Sequence, residues 1–143
     1  MADLNPLIRV RKHSVEQKQK FLAELYRQAE ELIGQRLTLQ KQVEAEREAL
    51  KKMDESIDMM VAFNNYVEAV KSRIADIDEA EKKLEVRIDI AREDMREAFA
   101  EFKKIEITQE RREDAEYKAL EKKQSELLDD MAIEGYRRRM EEG

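Results

Sequence analysis

The chain has 143 residues, of which 43% are charged and only 6% aromatic, with 3 Gly, 1 Pro, no Cys, no Trp and a formal net charge of −6. So few aromatics cannot fill a compact globular core, the absence of Cys removes disulfides and thiolate metal sites, and no apolar run approaches the ~20 residues of a membrane-spanning helix. The acidic balance argues against bulk nucleic-acid binding, although a local basic patch can still attract phosphate.

Met1 to Val10 lacks the uninterrupted apolar core of a secretory signal. Asn5 is a good helix cap, and Pro6 falls at the first helical position, where its missing N–H costs nothing. Asp3 adds a negative charge at the helix start. From there apolar residues return every seven positions. One row reads Ile8, Val15, Leu22, Ala29, Arg36, Val43, Leu50, Ile57, and the row offset by three reads Leu25, Leu32, Leu39, Glu46, Met53, Met60. This is the a/d spacing of a heptad, which turns a narrow apolar seam toward a partner helix. The positions between carry Glu, Lys, Gln and Arg, good helix formers with a solvated face. Polar gaps at Arg11, Lys18, Arg36 and Glu46 cost stability but help fix register.

A second series begins after residue 65. Its rows are Val67, Ile74, Glu81, Ile88, Met95, Phe102 and Val70, Ile77, Leu84, Ala91, Ala98, Ile105. Its phase differs from the first, and Asn64-Asn65 is the best turn signal between them. A continuous helix with a kink is the competing reading, and a turn nearer Glu55 would change the pairing. After Ile105 the pattern falters through Thr108-Gln109-Glu110-Arg111-Arg112, then resumes out of phase at Tyr117, Leu120, Leu127 and Met131. A slip of this kind changes the supercoil without breaking the helix. Gly135 and Gly143 weaken the last turns.

The expected fold is all-α: two long helices in an antiparallel coiled-coil hairpin, a single elongated domain over 1–143. Helix 1 spans about 6–62, the turn about 63–66, and helix 2 about 67–138, on the order of 85 and 110 Å long at ~1.5 Å per residue. Folding back within one chain gives the two seams a high effective concentration, which favours the hairpin over a dimer. Helix 2 outlasts helix 1, and its surplus seam is a candidate binding surface.

Enzymatic chemistry finds no footing. His13 is the only His, so neither a Ser-His-Asp arrangement nor a multi-His metal site can be built, and no Gly-rich phosphate loop is present. No catalytic, metal or cofactor residue is therefore expected. The charges say more. Arg9, Arg11, Lys12, His13, Lys18 and Lys20 crowd the start of helix 1, and Arg137, Arg138 and Arg139 close helix 2. In an antiparallel hairpin the two groups would meet at one basic tip. The opposite end, with Asp54, Glu55, Asp58, Glu68, Asp76, Asp78 and Glu79, would be acidic. Helix-dipole complementation explains the three arginines, but not basic first turns, where the dipole prefers acids. Phe63 and Tyr66 beside the expected turn either anchor a partner or cap the bundle. Phe99, Phe102, Tyr117 and the Met residues read as packing.

Together these features resemble the FliJ family of the bacterial flagellar export apparatus. The carrying stretches are Pro6-Leu7-Ile8-Arg9-Val10-Arg11-Lys12-His13 with Val15-Glu16-Gln17-Lys18 and Leu22-Ala23-Glu24-Leu25, the central Phe63-Asn64-Asn65-Tyr66-Val67, and the closing Glu110-Arg111-Arg112 through Asp129-Asp130-Met131-Ala132 with Tyr136-Arg137-Arg138. The resemblance implies an antiparallel two-helix stalk, similar to that of rotary ATP synthases and not itself an ATPase. Its terminal end would enter the pore of a hexameric export ATPase and promote ring assembly and hydrolysis, with Arg9, Arg11, Lys12, Arg137 and Arg138 as contact candidates. It would also bind export chaperones and a membrane-embedded export gate, the gate through Tyr66, Val70 and Ile77. The sequence departs from the family pattern at Arg73, where that patch can be small. The implied location is cytoplasmic, peripheral at the inner face of the cell membrane, with no cofactor and no nucleic acid. The alternatives are the equivalent stalk of a virulence type III secretion system, a dimeric coiled-coil scaffold, and a nucleic-acid binder.

Overall fold

The computed structural model describes residues 3–53 and 56–142, which form two helices, α1 (Asn5–Lys51) and α2 (Ile57–Glu142). They pack as an antiparallel helical hairpin, and no strand occurs among the described residues. At the start of α1 the cap is Asp3 rather than Asn5. Its Oδ1 accepts the Asn5 backbone N–H at 3.0 Å and the Asn5 side-chain amide at 2.7 Å. The first intrahelical bond runs from the Ile8 N–H to the Leu4 carbonyl at 2.9 Å, so Pro6 lies in the first turn, whose N–H groups have no helical partner.

The turn lies about ten residues before the one expected. α1 ends by tightening, with the Lys52 N–H on the Ala49 carbonyl and the Met53 N–H on the Leu50 carbonyl, both at 3.2 Å. α2 then starts on Ser56, whose Oγ accepts the Met59 N–H at 3.2 Å, a side-chain N-cap. The expected turn residues, Phe63 to Tyr66, are helical, and Asn64 and Asn65 face solvent. The phase break read at Asn64 is real, but the chain makes it at 52–56. From there Phe63, Val67 and Val70 fall on one seam. Asp54 and Glu55, counted among the acidic end, lie outside the described residues.

The chain divides into two compact units. One is Ser14–Ala98; the other joins the chain up to His13 to the segment from Phe99 onward. In the first unit the heptad rows do what their spacing requires. Leu22, Leu25, Leu84 and Ala91 form the buried cluster, with Ala29, Leu32, Ile88 and Met95 packed against it. Leu25 is 0% exposed, and full burial of such a side chain contributes about 1.5–3 kcal/mol. The small Ala29 and Ala91 leave room for the leucines, so large and small side chains interdigitate. On the outer face, pairs such as Arg27 with Glu24 (2.6 Å) and Glu31 (3.2 Å) support α1 at helical spacing.

In the second unit α1 begins against Gln109 of α2. The Leu4 backbone N–H donates to Gln109 Oε1 at 3.1 Å. Gln109 Nε2 donates to Glu113 Oε1 at 3.0 Å and reaches Asp3 Oδ1 at 3.5 Å. Beyond this latch α2 runs on to Glu142, straight through Gly135 and past the end expected near Arg138. Of residues 113–142, every one but Gly135 is exposed.

Candidate functional site

Arg9, Arg11 and Lys12 are all exposed on the first turns of α1. The Gln109 latch fixes the backbone beneath them to α2. On the neighbouring face of α2, Phe99 and Phe102 lie with ring centroids 6.4 Å apart, and the Lys103 ammonium sits 5.7 and 5.6 Å from the two rings. Lys103 also pairs with Glu106 at 2.8 Å; that hydrogen bond, then the charge of Glu106, raises its pKa. The section is therefore two helices thick and studded with exposed cations.

The structure does not bring Arg137 and Arg138 to this section, which corrects the single basic tip. α1 has 47 residues and α2 has 86, so α1 begins opposite Gln109 while α2 continues. At ~1.5 Å per residue, Arg137 stands about 42 Å further along the helix axis. Arg137, Arg138 and Arg139 are exposed on a stretch of α2 with no α1 beside it.

The three gate candidates share one strip of α2, but they are not equally presented. Val70 and Ile77 are buried, 4% and 9% exposed, in the seam against α1. Tyr66 is half-buried. With Glu46, Ala49, Leu50, Met53, Met59, Ala62 and Phe63 it lines an open groove of about 440 Å³ beside the turn. The Arg47 guanidinium lies 5.9 Å from the centroid of the Phe63 ring, so Phe63 and Tyr66 are wedged between the helices next to the turn rather than projecting from it. Further along, Gly34, Thr38, Leu39, Arg73, Asp76 and Ile77 border a wider open groove of about 650 Å³. At Gly34 it borders open space, since a Cβ there would meet nothing within 4 Å.

Sequence reasoning missed a charge cluster in the seam itself. Arg36 Nη2 donates to Asp78 Oδ1 at 2.5 Å and lies 2.7 Å from Glu81 Oε1. The Glu81 oxygen is buried, and the guanidinium at 2.7 Å is its ion-pair partner across the seam. The Glu81 contact, and then the Asp78 contact, raises the pKa of Arg36. Both Arg36 and Glu81 were visible as polar gaps in apolar rows. A turn at Asn64-Asn65 would have set Arg36 opposite Glu93 and hidden the match. Gln109 likewise lies where the heptad pattern falters, and no local motif marks it.

No group of three or more His, Cys, Asp or Glu that could hold a metal occurs among the described residues, and none of their helices is long and apolar enough to cross a membrane. Long charged helices, an apolar seam and open grooves define a coiled-coil hairpin that presents faces to other molecules. The family model described as Flagellar FliJ protein matches residues 1–141, and the chain belongs to that family. No curated protein and no solved structure matches it. It is thus a stalk protein of the flagellar export apparatus, a family of structural export components.

Proposed function

We propose that the chain is the stalk of the hexameric flagellar export ATPase. The two-helix section carrying Arg9, Arg11 and Lys12 enters the pore of the ring and promotes its assembly and hydrolysis. A rod acts on a ring only through contacts that differ between ring states, so these cations must find carboxylates in some subunit conformations and not in others. The observation that carries this reading is the placement of exposed cations on the first turns of α1, where the helix dipole opposes them. Helix stability does not call for positive charge there, and binding of an acidic pore does.

Arg137 and Arg138 form a second, separate contact, because α2 holds them well beyond the section bearing Arg9. At the other end of the reading, the protein meets a membrane-embedded export gate and empty export chaperones, and works in the cytoplasm against the inner face of the membrane. Tyr66 is the gate residue with surface to offer. Val70 and Ile77 join it only where α1 has moved off them.

The test is the steady-state hydrolysis rate of the cognate export ATPase with wild type, with Arg9, Arg11 and Lys12 all changed to Glu, and with Arg137 and Arg138 changed to Glu. Stimulation lost in the first variant supports pore engagement by the start of α1. Loss only in the second moves the contact to the end of α2. No stimulation by wild type of an ATPase able to form rings sinks the stalk reading.

A further inference from the structure

Residues 113–138 of α2 carry an apolar stripe that α1 does not reach. Tyr117, Leu120, Leu127 and Met131 are each more than half exposed, at 65%, 56%, 60% and 61%. The stripe does not prolong the hairpin seam. Carrying Phe102, Ile105 and Gln109 onward in heptads selects Arg112, Glu116, Ala119, Lys123, Glu126, Asp130 and Ile133, rows with only one large apolar residue and unfit to bury as a seam. The apolar residues instead open a new register, with Tyr117, Gln124 and Met131 as a positions and Leu120, Leu127 and Glu134 as d positions. A partner for this stretch is thus a helix distinct from α1.

We propose that this partner is the same stretch of a second copy, paired antiparallel. Antiparallel coiled coils set a against d, which gives the layers Tyr117–Glu134, Leu120–Met131 and Gln124–Leu127, each made twice by symmetry. The flanking g positions then face one another. They are Glu116, Lys123, Asp130 and Arg137, and in this register Glu116 meets Arg137 while Lys123 meets Asp130. Every g contact joins opposite charges, and the opposite flank sets Glu121 beside Leu128 with no like-charge clash. The parallel arrangement is worse: it brings Glu116 of one copy against Glu121 of the other. None of these four g residues has an ion pair or hydrogen bond among the described residues of its own chain. The length fits as well, because the free stretch opens just past Glu113, which belongs to the Gln109 latch, and the last g contact falls at Arg137.

With only three kinds of layer, one holding Gln124 and one holding Glu134, the pairing is weak and reversible, and it weakens with salt. It covers a face that any other partner of this stretch would need, so self-pairing competes with such binding. The inference stands on α2 alone and does not depend on the stalk reading.

Sedimentation equilibrium of the full chain over a concentration series, at low salt, tests it. The apparent mass should rise from 17.0 kDa toward twice that value. Leu127→Asp should abolish the rise while the melting of the hairpin below the association range is unchanged, since Leu127 is 60% exposed and lies outside the seam with α1. Lys123→Glu and Asp130→Lys should each weaken association roughly tenfold by setting like charges together. Mixing those two variants should restore it, because each then offers what the other lacks. A monomer at all concentrations overturns the proposal and assigns the stripe to a different protein. A dimer that survives Leu127→Asp, or one indifferent to the charge exchanges, overturns it equally.

Discussion

The segment of α2 from Val70 to Ala91 and the segment from Tyr117 to Met131 are built from the same materials: apolar residues at heptad spacing among Glu, Lys, Arg and Asp. The first buries Val70, Ile77, Leu84 and Ala91; the second leaves every large apolar side chain open. Composition therefore does not decide burial. What decides it is whether α1, which ends its register at the Gln109 latch, has any residues left to offer. The paired segment is stabilised by its seam. The unpaired one has only helix propensity and local ion pairs such as Lys118 with Asp114 at 3.2 Å, and helices so supported are marginal in water. Hydrogen exchange should divide them, with slow amides from Val70 to Ala91 and fast ones beyond Glu113.

The largest contrast should come from leucine truncation. Leu25→Ala removes a side chain with no exposed surface and should cost about 2–5 kcal/mol in chemical denaturation. Leu127→Ala, at a concentration where the protein is monomeric, should change stability by less than about 0.5 kcal/mol. Equal losses would mean that the stripe of Leu127 is covered within a single chain, contrary to the structure.

Charge deletion should give a smaller contrast of the same kind. Arg36 has a side chain 23% exposed, with the buried Glu81 Oε1 beside it; Arg27 is 59% exposed beside Glu24 and Glu31. Arg36→Ala strands a carboxylate in the seam and should lower the denaturation midpoint. Arg27→Ala should leave the midpoint nearly unmoved. Replacing Arg36 by Met together with Glu81 by Leu should recover most of the Arg36 loss, because an apolar layer needs no partner. If it does not, the cluster holds the register of the helices and the double variant should show a second pairing by cross-linking.

Much of this was legible beforehand. Both heptad rows of α2 were read residue by residue, from Val67 to Ile105, and all of those positions are buried or half-buried. That works because a seven-residue repeat has one geometric meaning in a long helix. The turn was not legible, because no Gly marks residues 52–56 and Ser56 supplies the cap, while the more conspicuous Asn64-Asn65 is merely solvated helix. That misplacement by about ten residues carried the rest: it made α1 too long, hid the Arg36–Glu81 match, and brought Arg9 and Arg138 to a tip they do not share. The basic residues themselves were plain in the sequence. Their separation is a property of helix lengths, which no local motif records.

The two glycines of the helices offer the mildest test of the comparison, and the cleanest, since neither substitution makes or breaks a contact. Gly34 lies in the paired part and Gly135 in the unpaired part; both are helical, without positive φ, and a Cβ on either meets nothing within 4 Å. In both cases alanine removes the entropy that glycine loses on entering a helix, worth about 0.5–1 kcal/mol. At Gly34 that gain should appear in the global transition, since α1 unfolds together with its seam. At Gly135 it should appear only as added helicity and slower amide exchange in the neighbouring turns, with the main melting temperature unmoved, because those turns fray before the hairpin melts. A shift of the main transition by Gly135→Ala would show that the end of α2 unfolds with the paired part, and would give it a partner that α1 cannot be.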